Sequence, residues 1–106
     1  MANYLLVYHG GGEMSSDPEV QAKSMQDWMS WFGGMGAAVV DGGNPVSRNW
    51  MVTKDGTTED GGANPASGYS VVSADSMQAA LEMAVGCPII ASGGSVEVCE
   101  TFNAGG

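Results

Sequence analysis

The chain has 106 residues, 43% of them hydrophobic, with 12 acidic groups against 3 basic ones and a formal net charge of -9. That length supports one domain, residues 1–106, with one small core, and the hydrophobic content excludes a disordered chain. The acidic excess repels a nucleic-acid duplex and an anionic membrane surface, so neither is expected as a partner; the same excess serves solubility equally well.

The opening tract has no basic region, and its apolar run covers only Tyr4–Tyr8 before His9 and glycines follow. No signal peptide and no membrane span are expected, which implies a cytoplasmic protein. Cys87 and Cys99 are too few for a disulfide framework, so free thiols are expected.

Tyr4–Tyr8 is apolar at every position and predicts a central strand covered on both sides, ended by Gly10–Gly12. A helix follows. Ser16 with Glu19 makes a capping box, and Asp17 before Pro18 is a near-equivalent start. Ala22, Met25, Met29 and Phe32 recur at helical spacing, with Trp28 beside them, and predict the face that lies on a sheet. Gly33-Gly34 are read as its end. Ala37–Val40 predicts a second strand and Asn49–Thr53 a third, with Asp55-Gly56 as a turn and residues 57–68 as a long polar loop. Tyr69–Ser73 predicts another strand. A second helix starts near Asp75 or Ser76 and carries Met77, Ala80, Leu81 and Ala84 on its apolar face. Val96–Thr101 predicts the last strand.

The order β-α-β, a short extra strand, then β-α-β predicts an α+β fold: a ferredoxin-like split βαβ antiparallel sheet with two helices on one face. The opposite face is left without a helix, yet Leu5, Val7, Val71 and others need shelter. A second copy of the chain is the economical cover, so a homodimer is expected.

Two loops stand out because they nearly repeat: DGGNP at 41–45 and DGGANP at 60–65. Glycine and asparagine enter backbone conformations closed to other residues, and proline fixes its own φ, so both loops reverse the chain sharply. They either frame a site or are simple tight turns.

The tracts YLLVYHGG, MGAAVVDGGNP, GYSVVSADSMQAALEMAVGCP and GGSVEVCE, with the helix carrying Trp28 and Trp31, resemble the YCII-related proteins, the group that includes the DGPF-domain proteins. Together they span most of the chain. The resemblance implies a ferredoxin-like domain forming a dimeric α-β barrel, as in muconolactone isomerase-like enzymes. It also implies that Asp41 is the acidic half of a His–Asp pair. Two departures stand in the sequence: the naming motif reads Asp55-Gly56-Thr57-Thr58, and residues 20–25 hold no histidine.

His9, the only imidazole, is the natural general acid or base at neutral pH, with Asp41 to orient its ring. A surface histidine bonded to backbone is the plain alternative. Trp28, Trp31 and Trp50, with hydroxyls from Tyr8 or Tyr69, suit a pocket for an apolar or aromatic small molecule, and suit core or interface packing as well. Arg48 would meet a ligand carboxylate or else form an internal ion pair. No spacing of His, Cys or acids suggests a metal, and no glycine pattern suggests a phosphate or cofactor loop. Two functions follow: a small-molecule-binding protein, extending to a weak isomerase or lyase with His9 as proton shuttle, or a non-catalytic dimeric structural or interaction domain.

Overall fold

In the computed structural model, residues 2–11, 17–60 and 62–104 are described. The elements run β1 (Ala2–His9), α1 (Pro18–Met35), β2 (Val39–Asp41), β3 (Met51–Thr53), β4 (Gly56–Thr58), β5 (Ala66–Ala74), α2 (Met77–Val85), α3 (Pro88–Ala91) and β6 (Ser95–Glu100), with a tight helical turn at Gly36–Ala38. The architecture is α+β. One antiparallel sheet has four strands in the order β2-β5-β1-β6, and β3 pairs with β4 in a separate two-stranded sheet.

Both sheets are open. β2 and β6 are edges of the larger sheet, and among the described residues no ladder joins them to each other or to the β3–β4 hairpin. A barrel requires a hydrogen-bonded ladder that returns on itself. The expected ferredoxin-like layer closing into a dimeric α-β barrel is therefore corrected to an open four-stranded sheet with a separate hairpin.

The core lies on one face of the large sheet. Tyr4, Leu6 and Tyr8 of β1 and Val72 and Ala74 of β5 alternate inward, where Ala80, Cys87 and Ile89 meet them. Ser76 caps α2 by accepting from the Ala79 amide at 3.1 Å, and one turn on Gln78 Nε2 donates to Glu82 Oε1 at 3.5 Å. The proposed cap Ser16 lies outside the described residues. Asp17 fills the role, accepting from the Glu19 amide at 2.9 Å with Pro18 opening the helix.

Helix α1 departs from its predicted face. None of its residues is fully buried, and Met25 and Met29 stand 66% and 67% exposed. Trp28, Trp31 and Met35 make the contact with the core. Their i, i+3, i+7 spacing is as helical as that of the methionines, and larger rings win the inward place by burying more area. Gly33-Gly34 do not end the helix. It runs on to Met35, and Gly36 ends it with φ +55°, a conformation suited to glycine. Short α3, absent from the sequence reading, follows Cys87 and seats Ile89 in the core.

The other face of the sheet presents Leu5, Val7, Tyr69 and Val71, all half-buried, because Leu5 pairs with Val71 and Val7 with Tyr69. The β3–β4 hairpin is exposed along its whole length, with Trp50 55% and Val52 73% exposed at its base and on its first strand.

Candidate functional site

The two repeated loops fold alike at their starts. Asp41 Oδ1 accepts from the Gly43 amide at 2.8 Å, and Asp60 Oδ1 accepts from the Gly62 amide at 2.8 Å. Gly43 takes φ +73° and Gly62 φ +82°. An aspartate bonded to the backbone two residues on, followed by a left-handed glycine, is the turn that the repeat encodes. Past this turn the loops diverge in task.

The first loop runs beside β5. Val46 N–H donates to Ser67 O at 2.9 Å, Tyr69 N–H donates to Asn44 O at 3.3 Å, and Pro45 bridges Gly68. At Gly43 a Cβ would stand 1.7 Å from the Tyr69 carbonyl oxygen, so only glycine permits this approach. The loop is also tied to the core from within. Tyr8 Oη donates to Ser70 Oγ at 2.7 Å, and Ser70 Oγ donates to Gly42 O at 2.7 Å.

Between this loop and α1 lies a cleft of about 550 Å³. Tyr8, Trp28 and Phe32 supply its rings, Met25 and Ile89 its aliphatic walls, and the Gly42–Pro45 loop one rim. Tyr8 meets Trp28 edge-on with centroids 5.1 Å apart, and Trp28 lies 6.0 Å from Phe32. No described lining residue carries a charge; Gln21, Ser24, Asn44 and Ser67 are the polar non-aromatic members. Ser67 sits where the β1–β5 register shifts, and its Oγ is buried with no hydrogen-bond partner.

Of the residues singled out in the sequence, Tyr8, Trp28 and Tyr69 come together in this lining, although pairing with Val7 directs the Tyr69 side chain to the open face. Trp31 packs against Tyr8, Trp28 and Phe32, and its indole N–H donates to Met83 O at 2.9 Å, which spends its polar handle inside the fold. Trp50 stands on the hairpin, away from the cleft lining. Arg48 pairs with Glu59.

His9 and Asp41 have separate partners. His9 Nδ1 lies 3.2 Å from Pro65 O, in the second repeated loop, and Nε2 lies 3.0 Å from Glu97 Oε1. Both partners are acceptors, so the two contacts are hydrogen bonds together only when both ring nitrogens carry protons. Asp41 is occupied with its own turn across the sheet on β2. Neither lines the cleft.

Burial pushes the Tyr8 phenol up to about 12, so at neutral pH it is a fixed hydrogen-bond donor and not a base. Burial likewise raises the Cys87 thiol to about 11, which keeps it from acting as a thiolate nucleophile at neutral pH. Cys99 is raised by burial and by Glu97 beside it. Among the described residues no three His, Cys, Asp or Glu side chains are grouped to hold a metal ion, and no helix is long and apolar enough to cross a membrane.

Sequence reasoning missed Ser70, Ser67 and Glu97. A lone serine at an inward position of a valine-bearing strand was the available signal for Ser70, since a buried hydroxyl demands a partner. The expected kinship is corrected as well: the sheets are open where the YCII-related and DGPF-domain resemblance implies a barrel. No family model and no curated protein matches the chain.

Proposed function

We propose that this protein binds a small aromatic molecule in the cleft between α1 and the Gly42–Pro45 loop, and that it binds without turning it over. The observation that carries the reading is the lining: Tyr8, Trp28 and Phe32 converge on about 550 Å³, walled by Met25 and Ile89, with few polar groups and no charge among the described residues. Ligand sites commonly have this size and this balance of apolar wall and sparse polar group. Binding is favoured over proton transfer because His9 and Asp41 lie outside the lining and Tyr8 holds its proton. Calorimetric titration with 2-naphthol tests the reading. Saturable one-to-one binding supports it, provided that M25E, at an exposed lining position, weakens it roughly 10-fold by placing a charge on an apolar wall. Absence of saturable binding, or an M25E variant that binds equally well, overturns it.

A homodimer without a closed barrel is the second part of the proposal. The chain exposes 7161 Å², against roughly 5,500 Å² for a compact monomer of its mass. Its radius of gyration is 15.1 Å, against about 13 Å for a compact chain of similar length. Surplus surface of this kind belongs to a chain with faces and arms left for a second copy to cover. The open sheet face and the exposed hairpin are the apolar surfaces that a second copy would cover. A cytoplasmic setting fits two cysteines that are both free thiols.

A further inference from the structure

Resting on that reading of the cleft, we infer that its ligand is an uncharged aromatic compound bearing one neutral hydrogen-bonding group, and that Ser67 is the residue that meets this group.

Two independent observations carry the inference. The first is the placement of charge. Lys23 is bonded to Asp27 at 3.1 Å, Arg48 is paired with Glu59, and Lys54 lies on the hairpin, so none of the three cations lines the cleft. The nearest titratable side chain in sequence to the loop rim is Asp41, whose carboxylate is fixed by the Gly43 amide. A carboxylate or sulfonate entering here would lose its water, find no counter-charge, and do so in the field of a protein with formal charge -9. Selection against anions is thus built in by what the wall omits.

The second observation is Ser67. Its hydroxyl is the one buried side-chain polar atom, among the described residues, left without a hydrogen-bond partner, and the residue belongs to the cleft lining. Its neighbours are well satisfied: the Ser67 carbonyl receives the Val46 amide, and Ser70, three residues on, holds both Tyr8 and Gly42. Burying a hydroxyl unpaired is unfavourable, and a ligand carbonyl removes that penalty on binding. A serine hydroxyl rotates freely to an incoming acceptor. The β1–β5 bulge at this point is what places the extra residue Ser67 beside Tyr8 and Gly68.

Three probes of nearly one shape test this by calorimetry on the whole protein: 2-acetonaphthone, 2-ethylnaphthalene and 2-naphthoate. The wild type is expected to bind the ketone most tightly and the naphthoate at least roughly 10-fold more weakly. S67A is expected to lower ketone affinity roughly 5-fold and to leave 2-ethylnaphthalene unchanged. S67A without ligand is expected to be as stable as the wild type or more so, because it removes an unpaired hydroxyl, which separates loss of a ligand contact from loss of fold. Naphthoate binding as tightly as the ketone, or S67A affecting ketone and hydrocarbon alike, overturns the inference while the cleft reading stands. Failure of all three probes to bind overturns both.

Discussion

The Tyr8 hydroxyl donates to Ser70 Oγ at 2.7 Å, across the pairing of β1 with β5, and Ser70 passes a second bond to the carbonyl of Gly42. The core is thereby joined to the loop that rims the cleft. Removing different members of this relay has different consequences. S70A strands the Tyr8 hydroxyl and the Gly42 carbonyl together and is expected to cost about 1–3 kcal/mol. Y8F leaves Ser70 still donating to Gly42 and is expected to cost about 1 kcal/mol. Urea unfolding of both variants checks the order, and a Y8F variant less stable than S70A contradicts the relay.

The adjacent glycines of the same loop differ more sharply. A Cβ on Gly42 meets nothing within 4 Å, whereas on Gly43 it would lie 1.7 Å from the Tyr69 carbonyl, at a φ of +73°. G42A is expected to fall within about 0.5 kcal/mol of the wild type, and G43A to cost roughly 3 kcal/mol or prevent folding. Thermal melts of the pair decide it, with equal melting temperatures as the contrary result.

Alkaline pH is expected to unfold the protein through two buried acids. Tyr8 moves from its ordinary value of 10.0 up to about 12, and Cys87 from 9.0 up to about 11, each mainly through burial. Both are neutral acids whose folded values exceed their unfolded ones. Their stabilisation is complete below pH about 9 and is lost as pH rises through the raised values toward about 12. Urea midpoints measured across this interval should fall steadily. C87A should flatten the lower part of the decline and Y8F the upper part; a profile identical in all three proteins refutes the assignment.

How far these features were legible in the sequence depended on whether they were local. The Asp-Gly-Gly turns at 41 and 60 and the Ser76 cap are encoded within a few residues, and each is found. Tyr4–Tyr8 is the central strand its composition predicts, but it is covered on one side only, with Tyr4, Leu6 and Tyr8 buried and Leu5 and Val7 half-buried. The face of α1 was not readable, because Met25/Met29 and Trp28/Trp31 offer two apolar stripes and only the sheet beneath decides between them. His9 is conspicuous in the sequence as the one imidazole, but its partners Pro65 and Glu97 lie 56 and 88 residues away, beyond any local signal. The cleft was half-visible: Trp28 and the first loop are conspicuous in sequence, whereas Ser67 and Ser70 matter only because β5 brings them against Tyr8 and Gly42. The expected barrel failed for the same reason, since closure is a property of edge strands and not of any tract that suggested it.

The open face and the hairpin give the last prediction. Leu5, Val7 and Val71 lie half-buried on the face opposite the described helices, and Trp50 and Val52 stand exposed on a two-stranded arm that is marginal on its own. Each surface is apolar where water is its present neighbour, and a two-fold axis would let the arm or face of one copy cover that of the other. Lys54, at the turn of the arm, makes no ion pair among the described residues, while Glu100 is exposed on the β6 edge, so opposite charges are available to fix such a contact. Sedimentation equilibrium is expected to return twice the chain mass for the wild type. V7E is expected to return a monomer, because one carboxylate on each face would be buried against the other without a partner. W50E separates the two modes of contact: a monomer assigns the arm to the interface, and an intact dimer assigns the sheet face alone. A wild type that sediments as a monomer at every concentration leaves the excess surface to the isolated chain and removes the dimer.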